Sequence, residues 1–189
     1  MHWETGGLSD ITVLFADLRG YTQLVHDRGP EAMRPIVDDF FRACREIVVR
    51  HDGIVDHFLG DAVLALFNAP VRHEDHARRA VEAAREIQAA MPQINAAAGE
   101  EGLLQVGIGV STGLAYTGVV GSDNCSDYTA LGDTVNIASR LQGEAAGGEV
   151  LVTEEVFAEL GGGAEAEHRT LRLKGISEPV EAYLLNVGA

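Results

Sequence analysis

Residues 11–22, Ile-Thr-Val-Leu-Phe-Ala-Asp-Leu-Arg-Gly-Tyr-Thr, constrain the fold more than any other stretch. The β-branched and aromatic run Ile11–Ala16 suits a central strand buried on both faces. A carboxylate, Asp17, stands where the apolar run stops, and Gly20 frees the backbone for a tight turn. Tyr21-Thr22-Gln23-Leu24-Val25 then reads as the first turns of a helix. Strand, acid, glycine turn and helix place one carboxylate beside the unpaired N–H groups of a helix N-terminus. That arrangement can hold a metal ion and a phosphate side by side. Taken alone, the stretch also reads as a strand ending at a solvated aspartate.

The flanking pattern supplies the architecture. Met33, Ile36, Val37, Phe40, Phe41, Cys44, Ile47 and Val48 recur at helical spacing after Pro30, a first-turn proline. Residues 54–59 and 62–67 read as two strands joined by a Gly60-Asp61 hairpin turn. Residues 74–98 form a second long helix, with His73, Glu74, Asp75 and His76 as its solvated start. Leu103–Gly113 is a glycine-studded strand, and Leu114–Gly121 either continues it or pairs back. Asp133 is placed to cap a helix running to about Ala146, with Asn136 at its third position as in a relaxed capping box. A short strand, a short helix and two final strands follow. The predicted fold is α+β: a ferredoxin-like βαββαβ core with helices on one face, and a smaller C-terminal α/β extension.

The 189 residues suit one domain, expected over residues 10–187 behind a linker remnant at residues 1–9. The formal net charge of −15 disfavours nucleic acid and anionic membranes as partners, so a polyanionic ligand would need a divalent cation or a local basic cluster. Two cysteines are too few for a disulfide framework. No membrane span or signal peptide is legible, so a cytoplasmic location is expected. The chain enters its first strand directly after Gly6-Gly7, which suggests a catalytic piece of a longer protein with regulatory parts elsewhere.

In the split arrangement the first strand lies antiparallel beside the strand that begins at Asp61. Asp17 ends one and Asp61 opens the other, so the two carboxylates meet at one end of the sheet although distant in sequence. Like charges that close repel unless a cation neutralises them. Oxygen ligands of this kind suit Mg²⁺ or Mn²⁺ shared with substrate phosphates.

Three motifs, Phe-Ala-Asp-Leu-Arg-Gly-Tyr-Thr, Phe-Leu-Gly-Asp-Ala-Val-Leu-Ala-Leu-Phe and Leu-Gly-Asp-Thr-Val-Asn-Ile-Ala-Ser-Arg-Leu, occur in order. Together they resemble the class III nucleotidyl cyclases, the adenylate/guanylate cyclase catalytic domain. The resemblance implies a homodimer with two composite sites, acting on a nucleoside triphosphate. Asp17, Asp61 and the carbonyl of Leu18 would bind two divalent ions, Mg²⁺ or Mn²⁺. Amides of Arg19, Gly20, Tyr21 and Thr22 would cradle the β- and γ-phosphates, and Lys174 matches a phosphate-contacting lysine. Asn136 would orient the ribose and Arg140 would stabilise charge on the α-phosphate, both from the other chain. They are four apart, hence on one helix face.

The two base-selecting positions depart from the commonest patterns. His57 stands where adenylate cyclases carry lysine and guanylate cyclases glutamate, and Thr129 stands where aspartate is frequent. A neutral imidazole donates or accepts according to tautomer. The threonine is shared with a bacterial adenylate cyclase branch, which favours ATP to cyclic AMP. Guanylate cyclase activity, or a catalytically weak cyclase-homology domain that binds nucleotide as a regulatory module, are the alternatives.

Overall fold

A computed structural model describes residues 6–99, 102–122, 125–161 and 165–186. The first five residues of the expected linker remnant lie outside them. Strand β1 (Gly7–Arg19) begins four residues before Ile11 and is the hub of the sheet. It is followed by helices α1 (Tyr21–Arg28) and α2 (Pro30–Arg50), hairpin strands β2 (Ile54–Leu59) and β3 (Ala62–Phe67), helix α3 (His76–Ala97) and strand β4 (Gln105–Ser122). These four strands lie in the order β2-β3-β1-β4, which is the predicted split βαββαβ core. The extension comprises β5 (Cys125–Leu131), α4 (Asp133–Glu144), β6 (Val150–Thr153), α5 (Glu154–Glu159), β7 (Ala166–Leu171) and β8 (Val180–Leu185). Strands β6, β8 and β7 lengthen the sheet beyond β4, and β5 pairs with β4 off the main path.

Both faces of β1 are covered, as its unbroken apolar run demands. Leu14, Ala16 and Leu18 pack with Met33, Val37, Phe40, Cys44, Ile47 and Val48 of α2 and with the Ala77–Ile94 stripe of α3. Ile11, Val13 and Phe15 face the other way, against Leu64 and Leu66 of β3 and Ala138 of α4. The core helices thus share one face, and the extension sends α4 to cover the other. Helix α4 approaches closely because Gly109 lacks a side chain: a Cβ there would overlap Gln142 N and Ala138 O of the helix backbone.

One open expectation is settled and two are corrected. Residues 114–121 continue β4 as one long strand, and the segment that pairs back is β5, whose weak alternation gave no strand signal. Gly132, not Asp133, is the N-cap of α4, and no side chain caps the helix, so the capping box does not form. His76 is buried and not solvated: its Nδ1 lies 2.7 Å from Thr12 Oγ1. Thr12 donates to Thr112 Oγ1, and Thr112 to the Ile11 carbonyl, so His76 Nδ1 supplies the proton of the first bond.

The contact at Gly109 has a measurable consequence. Gly109→Ala should lift α4 from the sheet and cost about 1–3 kcal/mol, the usual scale of overpacking. Urea unfolding should show a lower midpoint at an unchanged slope.

Candidate active site

The register of β1 and β3 brings Asp17 and Asp61 together. Asp17 pairs across from Ala62, and Leu18 N donates to the Asp61 carbonyl at 3.4 Å. Both aspartates are half-buried. Burial, and then the charge and hydrogen bonding of Asp17, push the Asp61 carboxyl above the ordinary aspartate value. The pair is what the sequence placed at one end of the sheet. Two carboxylates, with the Leu18 carbonyl that the family resemblance adds, would offer oxygen ligands of the kind that suits Mg²⁺ or Mn²⁺. No cluster of three or more His, Cys, Asp or Glu side chains capable of holding a metal occurs among the described residues. A cation here would therefore complete its shell from water and substrate phosphate.

Asp17 has two side-chain partners that the sequence did not reveal. Arg19 Nη1 and Gln142 Nε2 both donate to Asp17 Oδ2, at 2.9 and 3.0 Å. Arg19 also donates through Nε to the Ala145 carbonyl at 3.0 Å, and through Nη2 to the Gln142 carbonyl. Those carbonyls end α4, where helix carbonyls lack intrahelical partners and attract a cation. Gly107 leaves the space that the guanidinium fills. The Arg19 side chain is thus committed to β1 and α4 and is not free for a phosphate.

Gly20 adopts φ 71°, ψ 9° as the N-cap of α1, and the first helical bond is Leu24 N to Gly20 O. The amides of Gly20, Tyr21 and Thr22 accordingly have no intrahelical acceptor, as a phosphate cradle requires. Asn136 and Arg140 lie elsewhere. Helix α4 buries Thr134, Ala138, Leu141 and Gln142. Asn136 and Arg140 sit on the opposite face, exposed, with no side-chain hydrogen bond or ion pair to the described residues. Thr134 donates to the Leu114 carbonyl, and Leu114 pairs with Asp10, so α4 starts near the beginning of β1 and ends at Asp17. Asn136 and Asp17 of one chain are therefore not brought together. Lys174 is likewise exposed, just after buried Leu173.

His57 and Thr129 are joined by a residue the sequence reading passed over. Asp56 has a fully enclosed side chain, 0% exposed. His57 Nδ1 lies 2.8 Å from its Oδ1, and Thr129 Oγ1 donates to its Oδ2 at 2.7 Å. A β-bulge between Val55 and His57 turns Asp56 inward. A regular strand would have put Asp56 and His57 on opposite faces, so the only signal in the sequence was a carboxylate inside a strand.

A paired-carboxylate sheet end beside a bare helix N-terminus is an arrangement able to take a divalent cation and a phosphate together. The chain belongs to the adenylate and guanylate cyclase catalytic domain family, whose pattern it matches over residues 4–187. That family uses divalent metal ions. The chain is 37% identical over 136 residues to adenylate cyclase 1 of Rhizobium meliloti, covering 71% of this chain and 20% of that protein. It is 32% identical over 194 residues to an adenylate cyclase of Anabaena cylindrica, covering 95% of this chain and 38% of that protein. The chain thus spans well under half the length of these relatives. Among solved structures, it superimposes on the adenylyl cyclase CyaB from P. aeruginosa with a TM-score of 0.90 at 28% identity, covering 96% and 95% of the two chains. A guanylyl cyclase matches with a TM-score of 0.90 at 30% identity, covering 95% and 93%.

The raised Asp61 carboxyl fixes the sign of a stability test. A carboxyl raised in the folded state favours the fold while protonated, below its unfolded-state value, and loses that contribution as pH rises through the folded value. Metal-free protein at neutral pH therefore bears an unfavourable charge at Asp61. Asp61→Asn should raise the metal-free Tm at pH 7. Added Mn²⁺ should raise the wild-type Tm and leave that of the variant nearly unchanged. Equal Mn²⁺ shifts in both proteins would remove Asp61 from the metal set.

Proposed function

We propose that this domain is a purine nucleotide cyclase that converts ATP to 3′,5′-cyclic AMP and pyrophosphate, and that it works as a homodimer with two composite sites. The observation that carries this reading is the outward face of α4. Asn136 and Arg140 point away from their own sheet and find no partner there, so they are available to the Asp17–Asp61 end of a second chain. Large apolar residues are also exposed elsewhere on the domain, Leu114 at 66%, Leu131 at 53% and Leu59 at 50%, which fits their burial against a second chain. The match to proteins named adenylate cyclase supports the substrate class.

In this reading the amides of Arg19–Thr22 bind the β- and γ-phosphates at the start of α1, and Lys174 adds a positive charge. Asn136 holds the ribose so that its 3′-oxygen lies in line with the α-phosphorus. The 3′-hydroxyl gives up its proton to solvent, its oxygen forms the new bond to phosphorus as the bridging bond to the β-phosphate breaks, and pyrophosphate leaves. Arg140 stabilises the charge that builds on the α-phosphate oxygens. Two divalent ions, Mg²⁺ or Mn²⁺, held by Asp17, Asp61 and the Leu18 carbonyl, would acidify the 3′-hydroxyl and neutralise the triphosphate. GTP is the second candidate substrate, because His57 is neither of the usual base-selecting residues and a guanylyl cyclase superimposes as well as an adenylyl cyclase. The full-length protein would carry regulatory segments outside this domain, as the greater length of its relatives suggests, and the domain would act in the cytoplasm. No described helix is long and apolar enough to cross a membrane.

Incubation with ATP, GTP, CTP or UTP and Mn²⁺ or Mg²⁺, with mass detection of products, should yield a cyclic purine nucleotide and pyrophosphate. Asp17→Ala and Arg140→Ala should each lower turnover by about 10²–10³ or more. Mixing Asp61→Ala and Arg140→Ala chains should restore part of the activity, since each heterodimer keeps one intact site. Verified heterodimers without rescue would overturn the shared site.

A further inference from the structure

We infer that Asp56 sets which purine this domain accepts, by committing the protons of the two side chains that meet the base. The inference rests on the reading above, in which His57 and Thr129 face the purine edge. A carboxylate only accepts hydrogen bonds, so both neighbours must donate to it. Thr129 has one hydroxyl proton, and Asp56 Oδ2 takes it at 2.7 Å. His57 Nδ1, at 2.8 Å from Oδ1, carries its hydrogen toward Asp56 as well. The ring plane is thereby fixed, and Nε2 is the nitrogen left on the exposed side, where Asp127 Oδ2 lies 4.0 Å away on an exposed side chain. His57 is 39% exposed while the Asp56 side chain is sealed, so the first reaches a ligand and the second acts only through its neighbours.

What Thr129 can then offer a ligand is its lone pairs. An acceptor at that position matches the exocyclic amine of adenine and opposes the carbonyl oxygen of guanine. A free threonine hydroxyl would accommodate either, because it can rotate to donate or accept. Asp56 thus converts an ambiguous hydroxyl into an acceptor, and the structure assigns to it a positioning role that favours ATP. The device depends on the bulge in β2 and on β5 reaching across to the hairpin edge, which brings residues 56 and 129 together.

Asparagine is isosteric with aspartate but offers one acceptor and one donor. In Asp56→Asn one of the two contacts must reverse, and the hydrogen-bond polarity at the base edge changes with it. The ratio of kcat/KM for ATP over GTP should fall by about tenfold, the scale of one hydrogen bond. Thr129→Ser should keep the wild-type ratio, whereas Thr129→Val should lose it. This pair also carries the test if Asp56→Asn does not fold.

A proportional loss on both nucleotides, with the ratio unchanged, would make Asp56 merely structural and overturn the inference while leaving the cyclase reading intact. Equal use of ATP and GTP by the wild type would overturn it too. Should the wild type bind nucleotides without turnover, the cyclase reading fails, and the same ratios are read as relative Kd values for the α,β-methylene analogues of ATP and GTP. Binding of neither nucleotide overturns both.

Discussion

The antiparallel pairing of β1 with β3 forces two acids, Asp17 and Asp61, to the same end of a buried sheet. Hydrophobic burial along both strands holds that register, because a slip of one residue would turn Leu14 and Val13 to the wrong layers. The carboxylates therefore cannot part to relieve their repulsion, and burial first, with the Asp17 charge second, holds the Asp61 carboxyl above its ordinary value. Much of the local structure answers that charge. Arg19 and Gln142 both donate to Asp17, and the turn at Gly20 presents bare amides to any anion that arrives with a cation.

Helix α4 ties this end of the sheet to the proposed dimer. Its inner face packs on Gly109 and delivers Gln142 to Asp17. Its outer face carries Asn136 and Arg140 at a spacing that sets them side by side. In a symmetric pair of chains one helix would then serve two sites: it steadies the acid of its own and supplies ribose and phosphate contacts to the other. The Arg19 clamp on the last carbonyls of the helix makes the two ends of this arrangement a single packed unit.

The proposed base end is built differently. Asp56, His57 and Thr129 form a small polar network whose centre is sealed and whose tips are open. A buried carboxylate is tolerable only when its oxygens are satisfied, and here each oxygen has one donor. That requirement is what gives a short side chain such as threonine a fixed polarity.

Features whose signal lies within a few residues were legible in the sequence. The α2 and α3 stripes, the doubly buried β1, the β2–β3 hairpin and the glycine turn before α1 follow from periodicity and backbone allowance alone, and with the family's topology they placed Asp17 opposite Asp61. Side-chain direction was not legible where distant packing decides it. Arg19 turns to α4 because Gly107 leaves room, Asp56 turns inward at a bulge, His76 is drawn to Thr12, and β5 is a strand only because β4 outruns β1. Each of these depends on a partner tens of residues or more away, and local pattern carries no information about which neighbour the folded chain will supply.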